Sequence, residues 1–176
     1  PNLGPDIISA FYGCPLLFLD KTTSWSRPII DELTEKTTLN FNWKSPWLKR
    51  LLNMTDALIE IGKGKFITGM SDWHTGGDCL AALRGPMRLA VDMIKNPDRV
   101  RRLLKQIEND YEHLYNLFYD RLRGAGQPIS TWIPLISEVK YYPVSNDFSI
   151  MISDVMYKDL FLEGIIHECQ FLDRSI

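Results

Sequence analysis

The stretch SPWLKRLLNMTDALIEIGKGKFITGM, residues 45–70, determines the fold class that the sequence predicts. Its first two residues, a serine and a proline, suit the cap and the first position of a helix. Apolar residues then recur at helical spacing until Gly62 or Gly64. Residues 65–70 follow as a short, apolar, glycine-bounded run, which is typical of a buried strand. Because a helix leads directly into a strand, the stretch indicates an α/β fold.

The rest of the chain continues this alternation of helices and strands. Similar patterns predict, in chain order, a helix over 6–12, a strand over 15–19, a long helix from Asn96 to Gly124, strands over 129–135 and 142–148, a helix from Ser153 towards Cys169, and a strand opening at 174–176. We therefore expect a mainly parallel sheet with helical crossovers, in one domain without a linker.

Composition narrows the classes of function. The 176 residues are 45% hydrophobic, which is enough apolar surface for a sizeable core. Twenty basic and 22 acidic residues give a net charge of −2, so nucleic acid is not an expected partner. The apolar runs are shorter than the roughly 18 residues of a membrane span. Three scattered cysteines without a CxxC motif favour a reducing cytoplasm.

The loop after the predicted strand 65–70 is the first candidate for a functional site. It reads Ser71-Asp72-Trp73-His74-Thr75-Gly76-Gly77-Asp78 and combines two carboxylates, an imidazole, an indole and a glycine pair. In parallel α/β folds, ligands bind at the carboxyl ends of the strands. We interpret the loop as ligand-facing, with Asp72 and His74 catalytic and Trp73 and Asp78 binding substrate. The alternative is that Asp72 and Ser71 cap a helix and Trp73 belongs to the core.

A second candidate follows the predicted strand 142–148. One interpretation of Asp147 is functional: it acts as a general acid or base, or it anchors a substrate amine or pyrrole N–H. The alternative is that Asp147 only caps a turn. Ser149 follows it in the same segment. Tyr141 is either an aromatic platform for the substrate or a core residue.

A cation and two metal-like spacings complete the set of candidates. Arg84, at the end of a short helix, either meets a substrate carboxylate or favours the helix C-terminus. His167 and Cys169 are two positions apart in a helical pattern, so their side chains do not converge on one ion. His74 and Cys79 with Asp72 or Asp78 have no recognised metal spacing, so no metal site is predicted.

Several segments resemble the uroporphyrinogen decarboxylase family. They are Leu3–Asp6, Gly69–His74, Asp78–Pro86, Asp147–Ser149 and Ile152–Tyr157. The family fold is a (β/α)8 barrel with its active site at the carboxyl-terminal mouth. A complete barrel needs about 250 residues. The resemblance therefore implies that residues 1–176 are a single partial domain, a portion of a (β/α)8 TIM-type barrel with parallel strands and crossover helices.

The resemblance also implies a carboxy-lyase that removes carboxylates from a porphyrinogen-type or related substrate. Asp147 is similar to the acidic position of the family's Asp-Ser-x-Ala-Gly segment, where it would steady pyrrole N–H groups and developing positive charge. Arg84 would pair with a substrate carboxylate. Asp72 and His74 stand where many members carry small or apolar residues, so the substrate need not be a porphyrinogen and is given as porphyrinogen-type or related.

Two alternatives remain open. The family includes methyltransferases that use zinc and a corrinoid cofactor, whereas the decarboxylase reading needs no cofactor. A non-catalytic binding or structural remnant would leave the loops at Asp72 and Asp147 facing away from each other. The expected partner is a small-molecule substrate. A partial barrel would expose strand edges or pair with a second copy as a homodimer, and we do not expect it to turn over substrate.

Overall fold

The computed structural model describes residues 1–18 and 23–176, and this part of the chain is mostly helical. The α-helices are α1 (Ile7–Phe11), α2 (Pro46–Gly62), α3 (Gly76–Arg84), α4 (Pro86–Lys95), α5 (Pro97–Gly124), α6 (Asp154–Leu160) and α7 (Leu162–Phe171). A 3-10 helix covers Asp147–Met151, and the strands are β1 (Leu16–Leu17), β2 (Trp25–Ser26), β3 (Tyr141–Tyr142) and β4 (Arg174–Ser175). None of these helices is long and apolar enough to cross a membrane.

The predicted α/β fold, a portion of a (β/α)8 TIM-type barrel, is wrong. Over the described ranges, the strands form only two two-stranded sheets. Strands β1 and β2 pair antiparallel, and β3 and β4 pair parallel. A barrel needs strands that are each paired on both sides, with a helix after each strand, and these short pairs do not provide them.

Residues 65–70 show why the strand prediction failed. The N–H of Thr68 donates to the side-chain Oε1 of Gln127 at 2.8 Å, and the N–H of Met70 donates to the carbonyl of Ser130 at 2.8 Å. A strand ladder needs repeated backbone pairs, and here one of the two bonds goes to a side chain. Phe66 is 47% exposed, so the apolar run is not a buried strand.

The other predicted strands are much shorter than expected. Strand β1 covers only residues 16 and 17 of the predicted strand over 15–19, and Leu19 lies outside the described residues. Over 129–135, Ile129 forms an isolated antiparallel bridge with Ser137. The predicted strand over 142–148 enters the 3-10 helix at Asp147, after β3 has ended at Tyr142.

The two longest predicted helices are confirmed. Helix α2 begins after Ser45, whose Oγ accepts a hydrogen bond from the N–H of Trp47 at 3.3 Å, and ends at Gly62. Helix α5 runs for 28 residues and ends at Gly124. The predicted helix after Ser153 is interrupted near Phe161, so it becomes the two helices α6 and α7. The spacing of the apolar residues, together with the residues typical of helix ends, predicts these helices correctly.

The core lies around one face of α5. Its buried hydrophobic side chains, at helical spacing, are Val100, Leu103, Leu104, Ile107, Tyr111, Leu114, Tyr115, Phe118 and Leu122. Helices α3, α4 and α7 pack against α5, and α3 also contacts α1 and the 3-10 helix. Helix α3 therefore lies between the core and the two segments that carry the candidate site residues.

Candidate functional site

A pocket of about 350 Å³ lies beside α3 and the 3-10 helix. It is lined by Asp6, Trp25, Ser26, Pro28, His74, Asp78, Ala81, Ala82, Pro86, Asp147, Phe148 and Met151. Its walls come from segments that are far apart in the sequence, so the tertiary fold creates it. The pocket is large enough to hold a small molecule.

His74 brings the two candidate loops together. Its Nε2 lies 3.8 Å from Oδ1 of Asp72 and 3.8 Å from Oδ2 of Asp147. The N–H of His74 donates to the carbonyl of Pro5 at 3.1 Å, which fixes the backbone of the loop. Both carboxylate oxygens approach the same imidazole nitrogen, at a distance somewhat longer than a hydrogen bond. His74 and Asp147 line the pocket, whereas Asp72 approaches His74 without lining it.

Asp72 is a partly buried carboxyl group beside this histidine. Burial raises the pKa of Asp72, the nearby His74 lowers it and the negative Asp147 raises it. The net direction is upwards, so Asp72 holds a proton at higher pH than an exposed aspartate does. Such a carboxyl is suited to donate a proton to its neighbour.

Asp78, in the first turn of α3, organises the segment that carries Asp147. Its Oδ2 accepts a hydrogen bond from the N–H of Asp147 at 2.9 Å, and its Oδ1 accepts one from the N–H of Phe148 at 2.6 Å. Burial raises the pKa of Asp78, although these two hydrogen bonds act in the opposite direction. Both carboxylate oxygens are thus engaged in fixing the start of the 3-10 helix.

Asp6 lines the pocket and was missed as a site residue from the sequence. Its Oδ2 accepts hydrogen bonds from the backbone N–H and the hydroxyl of Ser26, at 3.0 and 2.9 Å. The contact attaches β2 to the start of α1. Asp6 occurs within the segment 3–6 that carries part of the family resemblance, but a lone aspartate before a short helix resembles an ordinary cap.

The pocket lining is acidic and apolar. It contains the carboxyl groups of Asp6, Asp78 and Asp147, and within the described residues no lysine or arginine lines it. Trp25, Phe148 and others provide apolar contact. Such a surface favours a partly apolar ligand with a positive charge or N–H donors and disfavours a polyanion.

Arg84 lies away from the pocket lining. Its Nε is 2.6 Å from Oδ2 of Asp92, and its Nη1 donates to the carbonyls of Ile30 at 3.2 Å and Asp31 at 2.8 Å. Both side chains of the ion pair are largely buried. These contacts connect α3, α4 and the segment at residues 30–31. Arg84 therefore stabilises the packing of these elements.

The remaining predicted site residues are outside the pocket lining as well. Trp73 is buried and stacks on Tyr142, with ring centroids 5.3 Å apart. Tyr141 is buried, and its backbone N–H donates to the hydroxyl of Tyr115 at 2.8 Å. Ser149 follows Phe148 in the 3-10 helix, where its N–H donates to the carbonyl of Asn146. The core alternative that the sequence left open for Trp73 and Tyr141 matches these positions.

Metal ligation has little structural support in the described part of the chain. No three His, Cys, Asp or Glu side chains within it are grouped so that they would hold a metal ion. His167, on α7, places Nε2 at 3.3 Å from Oε1 of Glu112. Cys79 is buried in the core. The zinc that the methyltransferase alternative would use therefore has no evident ligand set among these residues.

Comparisons with protein-family models, with curated proteins and with solved structures give no match. The function of the protein must therefore be inferred from the geometry and chemistry of the pocket and from the segments that resemble a known family.

Proposed function

We propose that the pocket binds a small molecule containing a nitrogen ring, and that His74, Asp72 and Asp147 support its decarboxylation in the manner of the uroporphyrinogen decarboxylase family. The observation that carries the proposal is the position of His74 Nε2, 3.8 Å from a carboxylate oxygen of each aspartate. Proton transfer needs hydrogen-bond distances, and a small movement of either side chain when substrate binds would bring the imidazole and a carboxylate within that reach.

The proposed reaction needs two protonations and one deprotonation. For a pyrrole with an acetate side chain, His74 donates a proton to a ring carbon, which makes the ring an iminium-type electron sink. The bond between the side-chain methylene and the carboxylate then breaks, carbon dioxide leaves, and the electron pair forms an exocyclic double bond. Protonation of the methylene carbon gives a methyl group, and loss of the added ring proton restores the pyrrole. The net change replaces one carboxylate by one proton.

The residues have distinct roles in this proposal. Asp147 accepts a hydrogen bond from the ring N–H and stabilises the positive charge of the ring. Asp72 faces His74 from outside the pocket lining and returns a proton to it, a role that its raised pKa favours. Asp78 holds the backbone of Asp147 in place through its Oδ2.

The charge of the pocket favours a substrate with fewer carboxylates than a porphyrinogen. A porphyrinogen with several carboxylates would bring negative charge against Asp6, Asp78 and Asp147 without a basic partner among the described lining residues. A single pyrrole with one acetate group carries one negative charge, which can remain at the open side of the pocket. We therefore propose a monopyrrole acetate or a similar nitrogen heterocycle as the substrate class.

The test is an anaerobic incubation of the protein with pyrrole-3-acetate in D₂O. Mass spectrometry and proton NMR would measure the release of carbon dioxide and the appearance of deuterium in the methyl group of 3-methylpyrrole. A reduced tetracarboxylate porphyrinogen is tested in parallel. The expectation that the chain turns over no substrate depended on a partial barrel, which the described residues do not form. We therefore expect the monopyrrole to react and the porphyrinogen to react more slowly or not at all.

Variants assign the reaction to the pocket. His74→Gln and Asp147→Asn should abolish deuterium incorporation, and Asp72→Asn should slow it. Asp120→Asn is the matched control, because Asp120 is exposed on α5 and does not line the pocket. Equal activity in all four variants, or no reaction with either substrate, would contradict the proposal.

We further propose a cytoplasmic location, which the three free cysteines support.

A further inference from the structure

We propose that Glu168 is a positioning residue for the candidate site, because it holds Thr75 and thereby fixes the loop that carries His74. Glu168 lies on α7 and does not line the pocket. The inference rests on the role proposed for His74 above, and it assigns a function to a buried acidic residue that the proposed reaction does not use.

The contact between Thr75 and Glu168 is unusual for a residue at a helix start. Thr75 is the N-cap of α3, where a threonine hydroxyl normally accepts a hydrogen bond from an N–H in the first turn. Its side chain makes no such bond here. The hydroxyl instead donates to Oε1 of Glu168 at 2.8 Å, and both residues are buried. The fold thus uses the hydroxyl to connect α3 with α7.

This contact holds one end of the His74 backbone. The other end is held by the bond from the N–H of His74 to the carbonyl of Pro5, at 3.1 Å. Thr75 is the next residue in the chain, so the backbone of His74 lies between these two hydrogen bonds. Without the bond to Glu168, the peptide that joins His74 to Thr75 would be free to turn, and the distances from His74 Nε2 to Asp72 and Asp147 would change with it.

The groups around Glu168 make its charge sensitive to pH. The pKa of Glu168 is raised to about 7. Burial is the largest cause, the hydrogen bond from Thr75 acts in the opposite direction, and the carboxyl groups of Glu108 on α5 and Asp78 on α3 contribute to the rise. A hydrogen bond to a charged carboxylate is stronger than one to a neutral carboxyl. The hold on Thr75 is therefore tighter above neutral pH than below it.

Other groups near Glu168 do not neutralise its charge. Tyr111 on α5 and Tyr142 on β3 interact with it electrostatically, and burial keeps the pKa of both phenols well above the ordinary value. Helix α6 contributes Leu160 to the space around Glu168, while its Asp159 pairs with Arg101 at 2.7 Å. Lys105 bonds to Glu108 at 3.1 Å. Thr75 is the side chain to which Glu168 is hydrogen-bonded.

The test measures the reactivity of His74 without any substrate. Diethyl pyrocarbonate modifies neutral imidazoles, and peptide mass spectrometry separates the modification of His74 from that of His113 and His167. The rate is measured from pH 5.5 to 8.5 in the wild type and in Glu168→Gln, Thr75→Val and Thr75→Ser. His113 serves as the internal reference, because it lies on α5 against Trp43.

We expect the wild-type profile of His74 to require a second ionisation near pH 7 in addition to that of the imidazole. Glu168→Gln and Thr75→Val should remove the second ionisation and change the rate at pH 8 by about five-fold, the equivalent of one hydrogen bond. Thr75→Ser keeps a hydroxyl and should keep the wild-type profile. The His113 profile should be the same in all four proteins.

Identical His74 profiles in the wild type, Glu168→Gln and Thr75→Val would overturn the proposal. Circular dichroism checks that each variant is folded, and if Glu168→Gln does not fold, the comparison of Thr75→Val with Thr75→Ser decides the outcome. No substrate is involved, so the result is independent of whether the pocket catalyses decarboxylation. If the wild-type protein does not decarboxylate pyrrole-3-acetate but its His74 profile shows both ionisations, only the proposed function is contradicted.

Discussion

Asp78 Oδ1 accepts a hydrogen bond from the N–H of Phe148 at 2.6 Å, across 70 positions of the sequence. The second oxygen of the same carboxylate accepts the N–H of Asp147 at 2.9 Å. One side chain in the first turn of α3 therefore satisfies two backbone donors at the start of the 3-10 helix. This contact places Asp147 at the pocket and makes α3 the element on which both candidate loops depend.

Replacing Asp78 should therefore destabilise the protein and disorganise the pocket. Asp78→Ala leaves two backbone donors without partners, and the N–H of Phe148 is buried. We expect a loss of about 2 kcal/mol or more in the free energy of unfolding, measured by urea denaturation. Asp78→Asn keeps one acceptor oxygen and should lose less. Equal stability of the wild type and Asp78→Ala would show that the contact is not maintained in solution.

Arg84 should prove important for stability and unimportant for binding at the pocket. Arg84→Met leaves Asp92 as a buried carboxylate without its 2.6 Å partner, which should cost about 3–5 kcal/mol in the free energy of unfolding. The double variant Arg84→Met/Asp92→Leu removes both charges and should recover much of that loss. Thermal and urea unfolding of the single and double variants provide the comparison. If Arg84→Met were stable but bound ligand more weakly, the prediction that Arg84 contacts a substrate carboxylate would be supported instead.

Glu168 should make stability fall as the pH rises through neutrality. Its pKa is about 7 in the folded protein and 4.5 as an ordinary glutamate, so the folded state binds more protons between these values. The stability it contributes is fully present below pH 4.5 and is lost as the pH rises to 7 and above. The loss is on the order of 3 kcal/mol.

Urea unfolding of the wild type and Glu168→Gln at several pH values measures this contribution. Glutamine does not titrate, so the difference between the two proteins should change in favour of the variant by that amount from pH 4 to pH 9. The buried carboxyl group of Asp72, whose pKa is shifted by burial, His74 and Asp147, affects both proteins equally and cancels in the difference. A difference that stays constant over this range would mean that Glu168 titrates like an exposed residue.

The helices could be predicted from the sequence because their signals are local. Ser45 with Pro46 and the periodic apolar residues of α5 specify a helix within a few turns, whatever the rest of the chain does. Strands depend on partners elsewhere in the chain, so a short apolar run such as 65–70 does not indicate whether a ladder forms. The barrel inferred from those runs and from the family resemblance was wrong for this reason.

The candidate site was predictable only in part. The polar loop 71–78 and Asp147 stood out by composition, and in the structure Nε2 of His74 lies 3.8 Å from a carboxylate oxygen of both Asp72 and Asp147. The positions of Asp6 and Glu168 depend on tertiary contacts, with Ser26 and Thr75, that no local pattern reveals. Arg84 was predicted to be available to a substrate because the sequence does not show that its side chain forms an ion pair with Asp92.

The close approach of residues 65–70 to residues 127–131 offers a last prediction. Gly69 has no side chain, and a Cβ at this position would lie 2.9 Å from the carbonyl oxygen of Thr131. Gly69→Ala must push two backbone segments apart, which should cost about 1–3 kcal/mol in the free energy of unfolding. It should also weaken the bond from Met70 to Ser130, which hydrogen exchange of the Met70 amide would report.

Gly124→Ala is the matched control for this substitution. A Cβ at Gly124 meets nothing within 4 Å, and the residue ends α5, where alanine favours the helix. We expect this variant to be as stable as the wild type or slightly more stable. If Gly69→Ala matched Gly124→Ala in stability and in Met70 exchange, the two segments would not be packed against each other, and the loop that leads to His74 would lack this support.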